Sequence, residues 1–335
     1  MAARGVLIDK TDLHIMIILS ADSRSPYRTI ASTVGISTNA VKVRVKKLLD
    51  KGIIHRFIAV VNPAVFGYEK QCLLVLRNSN NIIVEQKQKQ EEAREEYIFN
   101  QLSLFGDIWF YAQQMGGAAI FLILLRPGDE DKSELMNNLL KPAIIEYKLV
   151  TMKPPSMHVS ISDLKIMKCL LSNARMEIAE IAKEASISPK TAGKRIEKMQ
   201  QHHILTFSII RDMSSMNLAG LTEFLLVVEI NKSAYREITE RIYQEMQEYL
   251  ISIPPNIYSD STTATVIIAL FICSNIPTVN LITKRIRSYD GVYDVECFIT
   301  TNVSYHQEWI EKQINKTLRL YSKTAQTTIR LPNGK

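Results

Sequence analysis

Lysine and arginine recur at helical spacing in two similar stretches of this sequence, and these cations are the side chains best placed to do chemistry. The first stretch, ISTNAVKVRVKKLLDKGII, covers residues 36–54, and the second, ISPKTAGKRIEKMQQHHIL, covers residues 187–205. Cations neutralise phosphates, and short polar residues near the start of a helix can reach base edges in a groove of DNA. The pattern predicts two recognition helices that bind double-stranded DNA.

Short polar residues and cations fall beside the apolar stripe of each predicted helix and are the candidates for DNA contact. In the first copy they are Ser37, Thr38, Asn39, Lys42, Arg44, Lys46 and Lys47, followed by His55 and Arg56 in the next strand. In the second copy they are Ser188, Lys190, Thr191, Lys194, Arg195 and Lys198. The lysines of the second copy recur at every fourth residue, which predicts a continuous basic edge.

The two copies differ in how well they suit base recognition. His55 and Arg56 have uncharged counterparts in the second copy, and the second helix carries the poor base readers Pro189 and Gly193. We therefore expect the first copy to make the stronger DNA contact, and the second to contribute affinity more than specificity.

Two alternatives stay open at this level. A basic helix face is also what a solvated helix presents, although the duplication and the helical pattern around it favour DNA. Arg44 and Arg195 hold equivalent positions beside the apolar stripe, where each could clamp a phosphate or pair with an acidic residue of its own module.

Length and composition limit the classes of protein to which the chain can belong. A chain of 335 residues exceeds what one hydrophobic core usually supports, so several domains are expected. The net charge of +7 permits a polyanionic partner, and residues 1–68 hold ten Lys and Arg against four Asp. The longest apolar runs, AAIFLILL and ATVIIALFIC, are too short for a membrane helix, and the first residues do not read as a secretory signal. We expect a cytoplasmic protein.

Catalytic and metal-binding motifs do not emerge from the spacing of the reactive residues. Cys72, Cys169, Cys273 and Cys297 are widely scattered, and the six histidines are equally dispersed. The sequence holds no phosphate-cradling glycine loop, no G-x-S-x-G elbow and no H-E-x-x-H motif. We predict no metal site, no cofactor and no enzymatic activity.

An internal repeat organises the elements that must position these residues. A shift of 151 positions, without a gap, sets DLHIMIILSADSR (residues 12–24) on DLKIMKCLLSNAR (residues 163–175) and TIASTVGIS on EIAKEASIS. In each copy the apolar spacing predicts three helices, with Ser37 and Ser188 as N-caps of the third. The following segment, GIIHRFIAVVN in the first copy, is predicted to form a β-ribbon that acts as a wing. Three helices, a tight turn and a ribbon indicate a winged helix-turn-helix.

A second pattern follows each such module. The order strand, helix, strand, strand, helix, strand predicts a ferredoxin-like α+β domain in both halves, with first-half helices over residues 82–104 and 133–145. The predicted domains are winged helix-turn-helix modules over residues 1–68 and 157–220, and ferredoxin-like domains over residues 69–156 and 221–304. A C-terminal helix and basic tail over residues 305–335 could bind DNA phosphates, or could pack on the dimer surface and then fray.

Residues 8–67 resemble the N-terminal module of the Lrp/AsnC family of transcription regulators. They share the family's aspartates, the R-x-x-x-x-x-I-A stretch, the G-I-S turn, the V-x-x-R-V-x-x-L helix and the G-I-I segment. The resemblance implies a sequence-specific regulator that places recognition helices in the major groove and dimerises through ferredoxin-like effector domains. Since one chain already supplies two modules, it resembles a fused pseudo-dimer, and a homodimer of it would present four modules.

Other functions suit parts of the same pattern. Family members that sense amino acids carry a glycine-containing turn, and this chain has FGDIWFYAQQ and IPPNIYSDST in the corresponding places, so no ligand role is carried over to them. A small-molecule effector stays open. An architectural protein without sequence preference could use the same basic modules. A siroheme-decarboxylase-like enzyme, suggested by IWFY over residues 108–111, ranks lowest because no His-Tyr-Arg cluster accompanies it.

Overall fold

The computed structural model of the chain describes residues 8–77, 90–125, 138, 144–152, 156–253, 258–259 and 264–328. Within these ranges, no helix combines the length and the apolar composition needed to cross a bilayer.

The first helix-turn-helix module (the first module below) consists of α1 (Lys10–Ala21), α2 (Tyr27–Val34) and α3 (Thr38–Asp50). Asp9 caps α1 in a reciprocal capping box with Asp12, and the Ser37 hydroxyl accepts from the Ala40 N–H at the start of α3. These helices are the ones that the apolar spacing predicts.

Beyond the first module, the chain runs through β1 (Ile54–Val61), a 3₁₀ turn over Pro63–Phe66, and the elements of the first ferredoxin-like domain. That domain contains β2 (Lys70–Arg77), α4 (Gln90–Leu102), β3 (Gly106–Gln114), β4 (Ala119–Leu125) and β5 (Ile144–Thr151). The second helix predicted for this half, over residues 133–145, lies outside the described residues except at 138, 144 and 145, and its last two residues belong to β5 instead.

The second module repeats the first with α5 (Ile161–Ser172), α6 (Ile178–Ala185) and α7 (Pro189–Gln201). Each of these helices begins and ends 151 residues after its counterpart, as the ungapped repeat predicts. The turn before the third helix differs, because Gly35 is left-handed with φ +74° in the first module and Ser186 takes the same conformation with φ +58° in the second. A serine carries a Cβ penalty there that glycine avoids.

The second half then continues through a longer set of elements. These are β6 (Leu205–Arg211), α8 (Met213–Leu218), β7 (Thr222–Asn231), α9 (Tyr235–Glu245), β8 (Leu250–Ser252), β9 (Tyr258–Ser259), β10 (Ala264–Cys273), α10 (Ile276–Arg287), β11 (Val292–Tyr305) and α11 (Glu308–Thr328).

The prediction that each module forms its own wing is wrong. β1 does not fold back within the first module but pairs antiparallel with β6, with Ile58 opposite Ser208 and Val61 opposite Leu205. The apolar side chains explain the exchange, because Val61 packs in the core of the second module while Ile209 of β6 packs in the core that includes the first. The ribbon therefore joins the two modules.

Both halves have the ferredoxin-like strand order, and one sheet unites them. The order β8-β10-β7-β11-β3-β4-β2-β5-β9 contains the 4-1-3-2 pattern twice, once in each half. The long strand β11 pairs with β7 through its first part and with β3 through its last part, and β9 pairs with β5. β8 and β9 form the two ends of this order, and β9 also lies near β10.

Strand β2 is buried on both faces of the sheet. Leu73 and Val75 of β2 face the core shared with the first module, whereas Cys72 and Leu74 face the helix-covered core, as the two-residue period of a strand requires. In the second half, α9 and α10 cover a third core. Two of the four edge strands that such domains would offer, β11 and β3, pair with each other within this chain.

The C-terminal helix α11 packs on the second module of its own chain, which differs from the dimer surface that the sequence analysis expects it to cover. Trp309, Ile310 and Ile314 are buried with Leu164 and Met167 of α5. The Gln307 side-chain amide donates to the Ala59 carbonyl at 2.6 Å, so the helix also holds the ribbon between the modules. Residues 329–335 of the predicted basic tail lie outside the described residues.

Candidate nucleic-acid interface

The exposed face of α3 carries the polar side chains that the sequence predicts for DNA contact. Asn39, Lys42, Val43 and Lys46 are exposed, and they fall within one arc of roughly 100° at 3.6 residues per turn. The opposite side of the helix, formed by Val41, Val45 and Leu48, is almost completely buried. Thr38 is half-buried at the helix start, beside the Ser37 cap. The face can therefore present donors and cations to a groove without unpacking the module.

Arg44 and Lys47 point to the inside of the module, which differs from their predicted phosphate contact. The Arg44 guanidinium lies 2.7 Å from a carboxylate oxygen of Asp9 and 2.7 Å from one of Asp12, and the Lys47 ammonium lies 2.9 Å from Asp12. Asp12 is fully buried. A buried carboxylate needs such partners, so these two cations stabilise the fold of the module.

These contacts also affect titration. Partial burial alone would raise the pKa of Asp9, but the Asp12 N–H and the Arg44 guanidinium hydrogen-bond to the carboxylate and hold its pKa below the usual value. The same two carboxylates raise the pKa of Arg44. The two carboxylates of the α1 capping box and the Arg44 guanidinium of α3 thus stabilise each other's charged forms.

Arg195 takes the same internal role in the second module. Its guanidinium donates to the Ser160 hydroxyl at 2.8 Å and to the buried Asp163 carboxylate at 3.0 Å. The internal pair therefore answers the alternative that the sequence left open for Arg44 and Arg195. Lys47 also pairs within its module, so these three cations have acidic partners of their own, although part of each side chain stays exposed.

His55 and Arg56 are exposed at the start of β1, where the register with β6 shifts by a bulge. They lie on the inter-module ribbon and not on a free wing. Hydrogen bonds from Ser215 lower the pKa of Asp212, and the proximity of His55 lowers it further. A carboxylate next to His55 weakens the case for a phosphate contact by that side chain.

The outward face of α7 is basic, as the sequence predicts. Ser188 caps the helix by accepting from the Thr191 N–H at 3.1 Å. A shallow cavity of about 420 Å³ on the helix surface is lined by Lys190, Thr191, Lys194, Arg195 and Lys198. Glu197 is exposed on the same helix, at the position that Lys46 holds in the first module.

Two arginines that the sequence analysis did not single out bind the modules to each other. Arg24 donates to the carbonyl oxygens of Ala174 and Met176 at 2.8 and 3.0 Å, across the inter-module boundary. Its repeat counterpart, Arg175, lies 4.7 Å from the ring centroid of Tyr27. The two arginines are separated by 151 residues, the shift of the internal repeat, so the sequence shows that they are equivalent. The groups that they contact could not be predicted from sequence.

A buried ion pair lies beneath the ribbon. Arg211 of β6 contacts Glu223 of β7 at 2.7 Å, with side chains 4% and 1% exposed, and donates to the Ser20 hydroxyl of α1 at 3.1 Å. Burial, together with Glu223, raises the pKa of the neighbouring Tyr305 to about 12. This pair connects the first module to the second ferredoxin-like domain.

The residues suggested for enzyme chemistry are parts of the protein interior. Phe110 and Tyr111 of the IWFY segment lie in β3 and pack into two different cores, and the Trp109 indole donates to Gln71. Burial raises the pKa of the Cys72 thiol to about 12. In the part of the chain that the structure describes, no group of three or more His, Cys, Asp or Glu is arranged to hold a metal ion.

Two family models match the chain at the two modules. Residues 8–55 match the model described as winged helix-turn-helix DNA-binding, and residues 161–200 match the AsnC-type helix-turn-helix domain. The chain therefore has two helix-turn-helix matches, at the two places that the sequence shift predicts.

Curated relatives are similar over part of their length. An uncharacterized HTH-type transcriptional regulator of Pyrococcus furiosus is 36% identical over 89 residues, which are 27% of this chain and 60% of that protein. The HTH-type transcriptional regulator LrpA of Pyrococcus horikoshii is 47% identical over 62 residues, 18% of this chain and 44% of that protein. The chain thus spans about half the length of the curated relatives that it matches.

A solved structure, that of the siroheme decarboxylase NirDL, is similar over 92% of this chain and 99% of that chain, with 14% identity and a TM-score of 0.48.

Proposed function

We propose that this chain, whose two helix-turn-helix modules are homologous to those of Lrp/AsnC transcription regulators, is itself a sequence-specific DNA-binding regulator. In this proposal α3 and α7 enter major grooves of one duplex, and the ferredoxin-like domains hold the two modules in a fixed relation.

The outward face of α3 is the observation that carries the proposal. Asn39 can bond adenine through two contacts, Lys42 and Lys46 can neutralise phosphates, and the helix can do so while its buried stripe stays packed. The cations that maintain the module, Arg44 and Lys47, are separate from those offered to the duplex. Structure and recognition therefore use different sides of the same helix.

The proposed contact set follows from this division. It contains Thr38, Asn39, Lys42 and Lys46 of α3, and Lys190, Thr191, Lys194 and Lys198 of α7. Arg56 is the residue of the ribbon that we add to it. The homodimer and the small-molecule effector stay predictions.

Selection of bound fragments from a random duplex library tests the proposal, followed by anisotropy titrations of the recovered duplex and a scrambled duplex. We expect the recovered duplex to bind at least about a thousand-fold more tightly. Equal and steeply salt-dependent binding to both would instead show an architectural protein. The absence of binding to either duplex at low salt would refute any DNA-binding function.

A further inference from the structure

The two recognition helices present different chemistry at equivalent positions of their outward faces. Where α3 has Asn39, Lys42, Val43 and Lys46, α7 has Lys190, Gly193, Lys194 and Glu197, each 151 residues further on. All four positions of α3 are exposed, as are Lys190, Lys194 and Glu197. A pair of modules that read the two halves of a palindrome would need the same side chains at these positions.

Val43 is an apolar side chain in the middle of the polar face of α3. It is 61% exposed, and it lies one helical turn from Asn39 and from Lys46. A single exposed valine is unremarkable on most surfaces. Here, however, its neighbours are the candidate base readers, and the apolar group that duplex DNA presents in the major groove is the thymine methyl. Together with Asn39, which suits adenine, Val43 favours A·T pairs.

The outward face of α7 favours the other base pair. Lysine suits the O6 and N7 acceptors of guanine, and a carboxylate accepts from the N4 amine of cytosine. Lys190 and Lys194 supply the first kind of group, and Glu197 supplies the second in place of Lys46. Glu197 would also repel a phosphate where Lys46 attracts one, so the two helices are not interchangeable.

We infer that the chain reads a non-palindromic duplex, with an A·T-containing half-site under α3 and a G·C-containing half-site under α7. This inference rests on the proposed function and makes it more specific. The chain can impose such an order because the two modules are fused through the β1–β6 ribbon and through Arg24, so each helix has a fixed neighbour. The second module then contributes specificity as well as affinity, contrary to the expectation from Pro189 and Gly193.

The first test rearranges the duplex recovered by selection. Three duplexes with the same half-site spacing are compared. The mixed duplex carries the half-site for α3 and the half-site for α7, and each of the two symmetric duplexes carries one of these half-sites twice. The mixed duplex should bind about ten-fold or more tightly than either symmetric one, since several base contacts are lost in each rearrangement. A palindromic recovered site, or equal binding to a symmetric duplex, would overturn the inference while leaving the proposed function intact.

The second test removes one methyl group at a time. Each thymine of the A·T half-site is replaced by deoxyuridine, which lacks the methyl. At one position the wild-type chain should lose about four-fold in affinity, the worth of one buried methyl group. V43S, which lacks the valine methyl groups, should not respond to that replacement, and V43I should respond as the wild type does. If wild type and V43S lose affinity equally at every position, Val43 does not read thymine; if neither binds any duplex, the proposed function itself is wrong.

Discussion

Arg44→Ala separates the two roles that a cation on α3 can have. In this structure the Arg44 guanidinium is only 28% exposed and contacts the fully buried Asp12 carboxylate at 2.7 Å. Removing one partner of a buried ion pair usually costs about 3–5 kcal/mol. Lys47 remains 2.9 Å from the same carboxylate and Arg44 is partly solvated, so we expect a smaller loss of about 1.5–3 kcal/mol in the stability of the first module.

Hydrogen exchange measured by mass spectrometry on the full chain resolves this loss by module. A loss of 1.5–3 kcal/mol should lower the protection of α1 and α3 amides roughly ten- to hundred-fold, if they exchange through opening of the module. Peptides from α5 and α7 should keep their protection, because Arg195 forms its own pair with Asp163.

Lys42→Ala is the matched control, since it removes a cation from the exposed side of the same helix. It should leave the protection of the first module unchanged. Unchanged protection in R44A would refute the internal role of Arg44, and it would do so most clearly if R44A also lowered the affinity for DNA as much as K42A.

Three further predictions concern the scaffold. Glu223→Gln leaves the buried Arg211 without its counter-charge and should lower the free energy of unfolding, measured in urea, by about 3–5 kcal/mol. The apolar double variant R211M/E223L should recover most of that loss. If E223Q is as stable as the wild type, the buried ion pair does not have this role. Hydrogen bonds from Arg285, Arg241 and Tyr289 lower the pKa of Glu245 to about 2, so its contribution is present above its ordinary pKa and is lost as the pH falls toward 2. E245Q should therefore flatten the decline of the thermal midpoint between pH 5 and 3, and parallel curves would count against this assignment. G35A should destabilise the chain and S186G should stabilise it, each by about 0.5–1 kcal/mol in thermal unfolding, because both positions are left-handed; equal signs would contradict the backbone argument.

The local elements of this protein could be predicted from sequence because their signals are local. Capping residues and the helical period fix α1–α3 and α5–α7, and an ungapped shift of 151 residues transfers every boundary from one module to the other. The strand order of the ferredoxin-like domains follows from the order of elements in each half.

Pairings between distant segments could not be predicted in the same way. β1 was expected to turn back on its own module, but its partner is β6, about 150 residues away, and only the burial of Val61 and Ile209 in opposite cores determines that choice. The role of Arg44 was undecided because it borders the buried stripe, and only the position of Asp12 resolves it. The exposure of Val43 could not be predicted either, because it depends on how α3 packs.

The salt dependence of DNA binding by a double variant tests the central claim, that α3 contacts the phosphates of a duplex. K42A/K46A should reduce the slope of log affinity against log salt by about 1.8, which is 0.9 for each lost phosphate contact. The control K312A/K316A removes the same charge from the exposed side of α11 and should leave the slope unchanged. An unchanged slope in K42A/K46A, or an equal reduction in the control, would show that α3 is not the surface that contacts DNA.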